Sequence, residues 1–168
     1  MRRTRDASVD SVQLSEVVRV LDALDGAGVR WWVLGGWGVA ALVGEQTREH
    51  RDLDLAIDVE DWEATMATCT GLGYVTETDW WPVRVELTSL AGWIDLHPVR
   101  FDEAGDGVQA GLDGETYGYP REHLTTATLG GRAVRCVSAE WKVRVHQGYE
   151  SRPQDLHDLA LLAGLSSH

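Results

Sequence analysis

Arg48-Glu49-His50-Arg51-Asp52-Leu53-Asp54-Leu55-Ala56-Ile57 is the stretch whose reading decides the fold. Asp alternates with Leu, and the run closes on Ala and Ile, the pattern of a half-buried strand over Arg51 to Asp58. On such a strand Asp52 and Asp54 share one face, roughly 7 Å apart. Two carboxylates on one semi-buried face repel each other and lose solvation, so a cation must offset the cost. A divalent metal carrying a nucleoside triphosphate meets that need.

Upstream, Trp31 to Leu34 is a short apolar strand, and Trp37 to Val43 begins a helix directly after Gly35-Gly36. Glycines between a strand and a helix let backbone N–H groups approach a phosphate at the positive end of the helix. Downstream, Ile94-Asp95-Leu96-His97-Pro98 alternates again, which puts Asp95 and His97 on one face. If that strand neighbours the Asp52 strand, Asp52, Asp54 and Asp95 converge into a metal-binding cluster suited to phosphoryl chemistry. His97 has two readings, a satisfied structural histidine or a proton carrier beside the attacking hydroxyl.

The remaining candidates also carry two readings each. Arg84 and Glu86 share a strand face, in a cross-strand ion pair or with Glu86 facing the acceptor to bind its amine or hydroxyl. Arg48, His50 and Arg51 form a solvated loop or give cationic help to phosphate oxygens. Lys142 is a solvated lysine or a triphosphate contact, and the chain offers no other lysine for that role.

Around this centre the pattern alternates. Val9, Val12, Val17, Leu21 and Leu24 mark a first amphipathic helix, and the helix after the Asp52 strand starts at Asp58 to Asp61 and runs to Gly71. Tyr74 to Glu77, Val83 to Leu87 and Trp93 to Val99 read as strands, while residues 102–116 read as a loop. Thr128 to Arg132 is a hairpin turn into a strand at Ala133 to Val137. Ser138 caps a helix from Ala139 to about Gly148, and Pro153 opens the last helix, which ends at Gly164. The fold class is α+β, a mixed β-sheet flanked by helices in one domain over residues 1–168, with a helical C-terminal part over residues 138–165.

Composition narrows the partners. Fifteen Lys and Arg against 27 Asp and Glu leave a net charge of −12, which repels nucleic acid and attracts cationic small molecules. Eight Trp residues offer walls for an apolar ligand face. Cys69 and Cys136 lack metal or disulfide spacing. The basic N-terminus is followed by no apolar signal region, and the apolar run from Trp31 to Val43 is too short to span a membrane. These features predict a cytoplasmic protein without a membrane partner, and leave a homodimer open.

Leu34-Gly35-Gly36, Asp52-Leu53-Asp54 and Asp95 together resemble the DNA polymerase β-type nucleotidyltransferase superfamily. The likeness is closer within Gly35-Gly36-Trp37-Gly38-Val39, Gly44, Arg48 to Asp54, Arg84 to Leu87, Leu96-His97-Pro98 and His146-Gln147-Gly148-Tyr149. There the chain is similar to lincosamide nucleotidyltransferases and, more distantly, to aminoglycoside 2″-nucleotidyltransferases. The resemblance implies a polymerase β-type fold and Mg²⁺-dependent transfer of AMP from ATP to an antibiotic hydroxyl. It implies Mg²⁺ on Asp52 and Asp54, with Asp95 completing the metal site or polarising the hydroxyl beside His97. Gly35, Gly36, Arg48, Arg51 and Lys142 would meet the nucleotide, and Arg84 and Glu86 the acceptor. The acceptor would be a hydroxylated amine, lincosamides ranked before aminoglycosides. The chain departs at Ala40, where members often carry Asp, which bears on acceptor choice more than on the metal carboxylates. The alternatives are a regulator or toxin-type module that modifies a protein, and a transferase for a hydroxylated metabolite.

Overall fold

The computed structural model describes residues 11–146 and 152–165. Val9, the expected helix extension to Gly148 and the Gln147-Gly148-Tyr149 stretch lie outside those residues. In chain order the elements are α1 Leu14–Gly26, β1 Trp31–Leu34, α2 Gly35–Val43, β2 Asp52–Asp58, α3 Trp62–Gly71, β3 Val75–Trp80, β4 Arg84–Ser89 and β5 Gly92–Phe101. They continue with β6 Gly107–Ala110, β7 Thr116–Tyr119, β8 Leu124–Leu129, β9 Arg132–Val137, α4 Ala139–His146 and α5 Pro153–Leu165.

The strands form one mixed sheet in the order β3-β4-β5-β2-β1-β9-β8, with β6 pairing both β5 and β7. β2 runs parallel to β5, and β1 parallel to β9, whereas the other pairings are antiparallel. The alternation in β2 sorts its two faces. Leu53, Leu55 and Ile57 enter the main core with Val17, Val20, Leu21 and Leu24 of α1 and Cys69 of α3. Asp52, Asp54 and Ala56 therefore face the other way, where α2, α4 and α5 border a cleft. Both cysteines are free and buried.

Local signals explain the ends of elements. Ser138 Oγ accepts from Trp141 N at 3.2 Å and caps α4 as expected. Gly130 and Gly131 take φ of 59° and 74°, the conformation a tight β8–β9 hairpin requires. Residues 102–116 are not simply a loop, for they contain β6 and the first residue of β7. In β6 the polar Gln109 is buried and Val108 is half exposed, so hydrophobic alternation runs the wrong way for recognition. The diglycine is likewise not a turn before the helix but the first turn of α2 itself. Among the described residues no helix is long and apolar enough to cross a membrane.

Leu55 is fully buried directly behind Asp54. Leu55→Ala should lower the free energy of unfolding by about 2–5 kcal/mol in urea denaturation. A loss below about 1 kcal/mol would place this side chain outside the load of the core.

Candidate active site

The parallel register of β2 on β5 sets Asp54 opposite Asp95 and Ala56 opposite His97. One ligand atom from each of Asp54, Asp95 and His97 lies within 4.8 Å of the others. His97 Nε2 is 3.4 Å from Asp54 Oδ1 and 3.6 Å from Asp95 Oδ2. Asp52 stands one step back on the same face and is outside that tight trio. The expected meeting of the two strands holds, with His97 rather than Asp52 as the third close member.

These groups perturb one another. Burial, then the charges of Asp54 and Asp95, push Asp52 up to about 6. Burial is also the main cause raising the Asp95 carboxyl, helped by Asp54 and opposed by His97 and Arg84. For His97 burial favours the neutral ring, but the carboxylates of Asp54 and Asp95 outweigh it and raise the pKa. Arg84 Nη1 holds Asp95 Oδ2 at 2.8 Å. Asp95 Oδ1 is buried with no hydrogen-bond partner among the described residues, and an orphaned carboxylate oxygen of this kind suits an oxygen-seeking cation.

A cleft of about 550 Å³ opens above Asp52, Asp54 and His97, and the first turn of α2 borders it. Three glycines of that helix make room for polar side chains. A Cβ on Gly35 would stand 2.3 Å from Asp54 Oδ2, and one on Gly36 would stand 2.2 Å from His50 Nδ1. A Cβ on Gly38 would lie 2.9 Å from Lys142 Nζ. Lys142 is thus buried against the cleft rather than solvated, and burial lowers its pKa.

The arginines divide. Arg48 lines the cleft but grips Asp158 of α5 through two bonds of 3.0 and 2.7 Å. Arg51 is more exposed, stacks 4.6 Å over Trp93, and lies 3.7 Å from Asp52 and 3.9 Å from Glu86. Arg84 makes a cross-strand ion pair with Asp95 of β5, while Glu86 lies near Arg51. Arg84 also stacks 4.9 Å over Trp80.

Several cleft residues escaped the sequence reading: Gln109, Tyr119, Trp141, Asp155 and Asp158. Gln109 lies on β6, inside the 102–116 stretch read as a loop, and Tyr119 closes β7, which begins at its edge; no periodic signal marks either. The sequence leaves His50 either in a solvated loop or as cationic help for phosphate oxygens, and the structure gives it neither setting. Its ring is 4 % exposed, packs 4.8 Å from Trp37, and has both nitrogens without a hydrogen-bond partner among the described residues. Burial, then Arg48, lower its pKa to about 4.

Comparison with known proteins agrees with this geometry. The family profile described as Aminoglycoside-2''-adenylyltransferase matches residues 16–162. A lincosamide resistance protein of Staphylococcus haemolyticus is 30% identical over 158 residues, covering 94% of this chain and 98% of that protein. A 2''-aminoglycoside nucleotidyltransferase of Klebsiella pneumoniae is 35% identical over 137 residues, 79% of this chain and 71% of that protein. The lincomycin-bound crystal structure of the lincosamide antibiotic adenylyltransferase LnuA superposes with a TM-score of 0.83 at 31% identity, covering 91% of this chain and 98% of that one. Fold and site define an antibiotic nucleotidyltransferase. The chain belongs to the aminoglycoside-2''-adenylyltransferase family.

Two outcomes follow for the metal-free protein. Asp52 has a folded pKa near 6 against an ordinary value of 3.8, so its charge destabilises the fold above about pH 6 and not below about pH 4. Asp52→Asn should stabilise the fold at neutral pH by about 1–3 kcal/mol, the gain fading as pH falls through that window. Denaturation midpoints in chelator test this, and a gain constant with pH would assign it another origin. Gly36→Ala should cost about 1–3 kcal/mol by displacing the His50 ring. Adding His50→Ala should bring less further loss than His50→Ala causes alone; strict additivity would separate the two sites.

Proposed function

We propose that this cleft binds Mg²⁺ with ATP and transfers AMP to a hydroxyl of a lincosamide-type acceptor. The observation that carries the reading is the register pairing with Asp95 of Asp54, which itself lines a cleft bordered by the α2 N-terminus and Lys142. Asp52, Asp54 and Asp95 would hold the metal, and their all-oxygen donor set suits Mg²⁺. When bound, Mg²⁺ would neutralise triphosphate charge and make the α-phosphorus easier to attack.

The protein's own groups would do the rest. The first-turn N–H groups of α2 at Gly35 and Gly36 would receive phosphate oxygens, aided by Lys142 and by Arg51. Arg48, already committed to Asp158, would contribute by holding the α5 side of the cleft as well as by its charge. Asp95, with a raised pKa, would take the proton of the acceptor hydroxyl, with His97 beside it. The hydroxyl oxygen then bonds to the α-phosphorus while the bond to the bridging oxygen breaks, and pyrophosphate leaves.

On the far side of Asp95, Glu86 and Arg84 lie on the sheet face that also carries Trp80 and Trp93. An acceptor with an amine, sugar hydroxyls and an alkyl body would use both the acid and the aromatic surfaces. This supports lincosamides ahead of aminoglycosides, whose many charges make less use of apolar walls.

Purified enzyme with ATP and Mg²⁺ should release pyrophosphate and yield a lincomycin product heavier by one AMP, measured by mass spectrometry. Asp95→Asn should lower turnover by at least about 100-fold. Turnover of an aminoglycoside alone would reverse the ranking. Inactivity on both classes would move the reading to a hydroxylated metabolite or a protein acceptor.

A further inference from the structure

Gln109 sits 7 % exposed on β6, against the side of His97 that faces away from the carboxylates. Tyr119 Oη donates to its Oε1 at 2.5 Å. Its Nε2 donates to the Val83 carbonyl at 3.3 Å and lies 3.2 Å from His97 Nδ1. The Val83 oxygen can only accept, so the amide nitrogen belongs on that side; reversing the amide would set two acceptors against each other. The second amide hydrogen then points at Nδ1. A neutral imidazole that accepts at Nδ1 carries its proton on Nε2, the atom that faces Asp54 Oδ1 and Asp95 Oδ2.

We propose that Gln109 is a positioning residue that keeps the His97 proton on Nε2, so that His97 donates to the carboxylates and stays out of a metal's coordination shell. The proposal rests on the reading of Asp54 and Asp95 as metal ligands. An imidazole nitrogen ligates through its lone pair, and here one lone pair is taken by Gln109 and the other nitrogen is protonated. The cation then meets carboxylate oxygens only. Oxygen donors suit Mg²⁺, whereas a free imidazole would draw cobalt, nickel or zinc. Gln109 is in this way a determinant of metal choice, acting through the direction of one hydrogen bond.

The wild-type protein, loaded with Mg²⁺, tests the first half by long-range ¹H–¹⁵N correlation of its histidine rings, with His97→Asn assigning the signals. The Nε2-protonated neutral pattern is expected for His97; the Nδ1-protonated pattern or a charged ring would overturn the proposal. The second half uses Gln109→Glu, whose carboxylate only accepts and so draws the proton to Nδ1 and frees Nε2. Co²⁺ affinity, read from its visible absorption, should rise about 10-fold relative to Mg²⁺ affinity. His97→Ala in the same background should cancel that rise. Equal gains for both ions would reduce the effect to added charge and reject the idea. If Asp54→Asn in the otherwise wild-type chain left both metal affinities unchanged, the metal-site reading itself would fall, and this proposal with it.

Discussion

The carboxylate pair Asp54 and Asp95, set side by side by the parallel pairing of β2 and β5, is the constraint around which the molecule is arranged. Two acids so placed raise each other's cost, and neighbours meet it from two directions: Arg84 on Asp95 and His97 between the pair. The opposite face of the same strand enters the main core through Leu53, Leu55 and Ile57. Hydrophobic burial at about 25 cal/mol per Å² holds the acids together against their repulsion. Stability on one face is what permits chemistry on the other.

The glycines of α2 show a second kind of economy. The obvious use of a diglycine at a helix start is close approach by phosphate. In this fold the absent side chains also admit Asp54, His50 and Lys142 from elements distant in sequence. Each glycine thus fixes where a polar group lies relative to the helix end. Conformational freedom matters at Gly35, whose φ is 58°, whereas at Gly36 and Gly38 the requirement is space.

Much of this was legible in the chain because alternation at β2 and β5 is strong and each strand buries apolar residues behind its acids. The meeting of the Asp52–Asp54 strand with the Asp95 strand followed from two local patterns and one assumption, that the strands are neighbours, but the register puts His97 rather than Asp52 third beside Asp54 and Asp95. What escaped was governed by space rather than period. Lys142 looks like any surface lysine until Gly38 is seen beneath it. Gln109 inverts the usual rule by turning its amide inward and leaving Val108 outward, so its strand passed for loop. The partners of Arg48 and Arg84, Asp158 and Asp95, are cross-element contacts that no spacing rule encodes.

The Arg48–Asp158 grip joins residues 110 positions apart, and it ties the helix carrying Asp155 and Asp158 to the loop that leads into β2. During synthesis on the ribosome every sheet strand emerges before that helix does. The acidic floor can therefore assemble while one side of the cleft is still being translated. The sheet positions the carboxylates, and the Arg48–Asp158 contact is what fastens the last wall of the compartment around them.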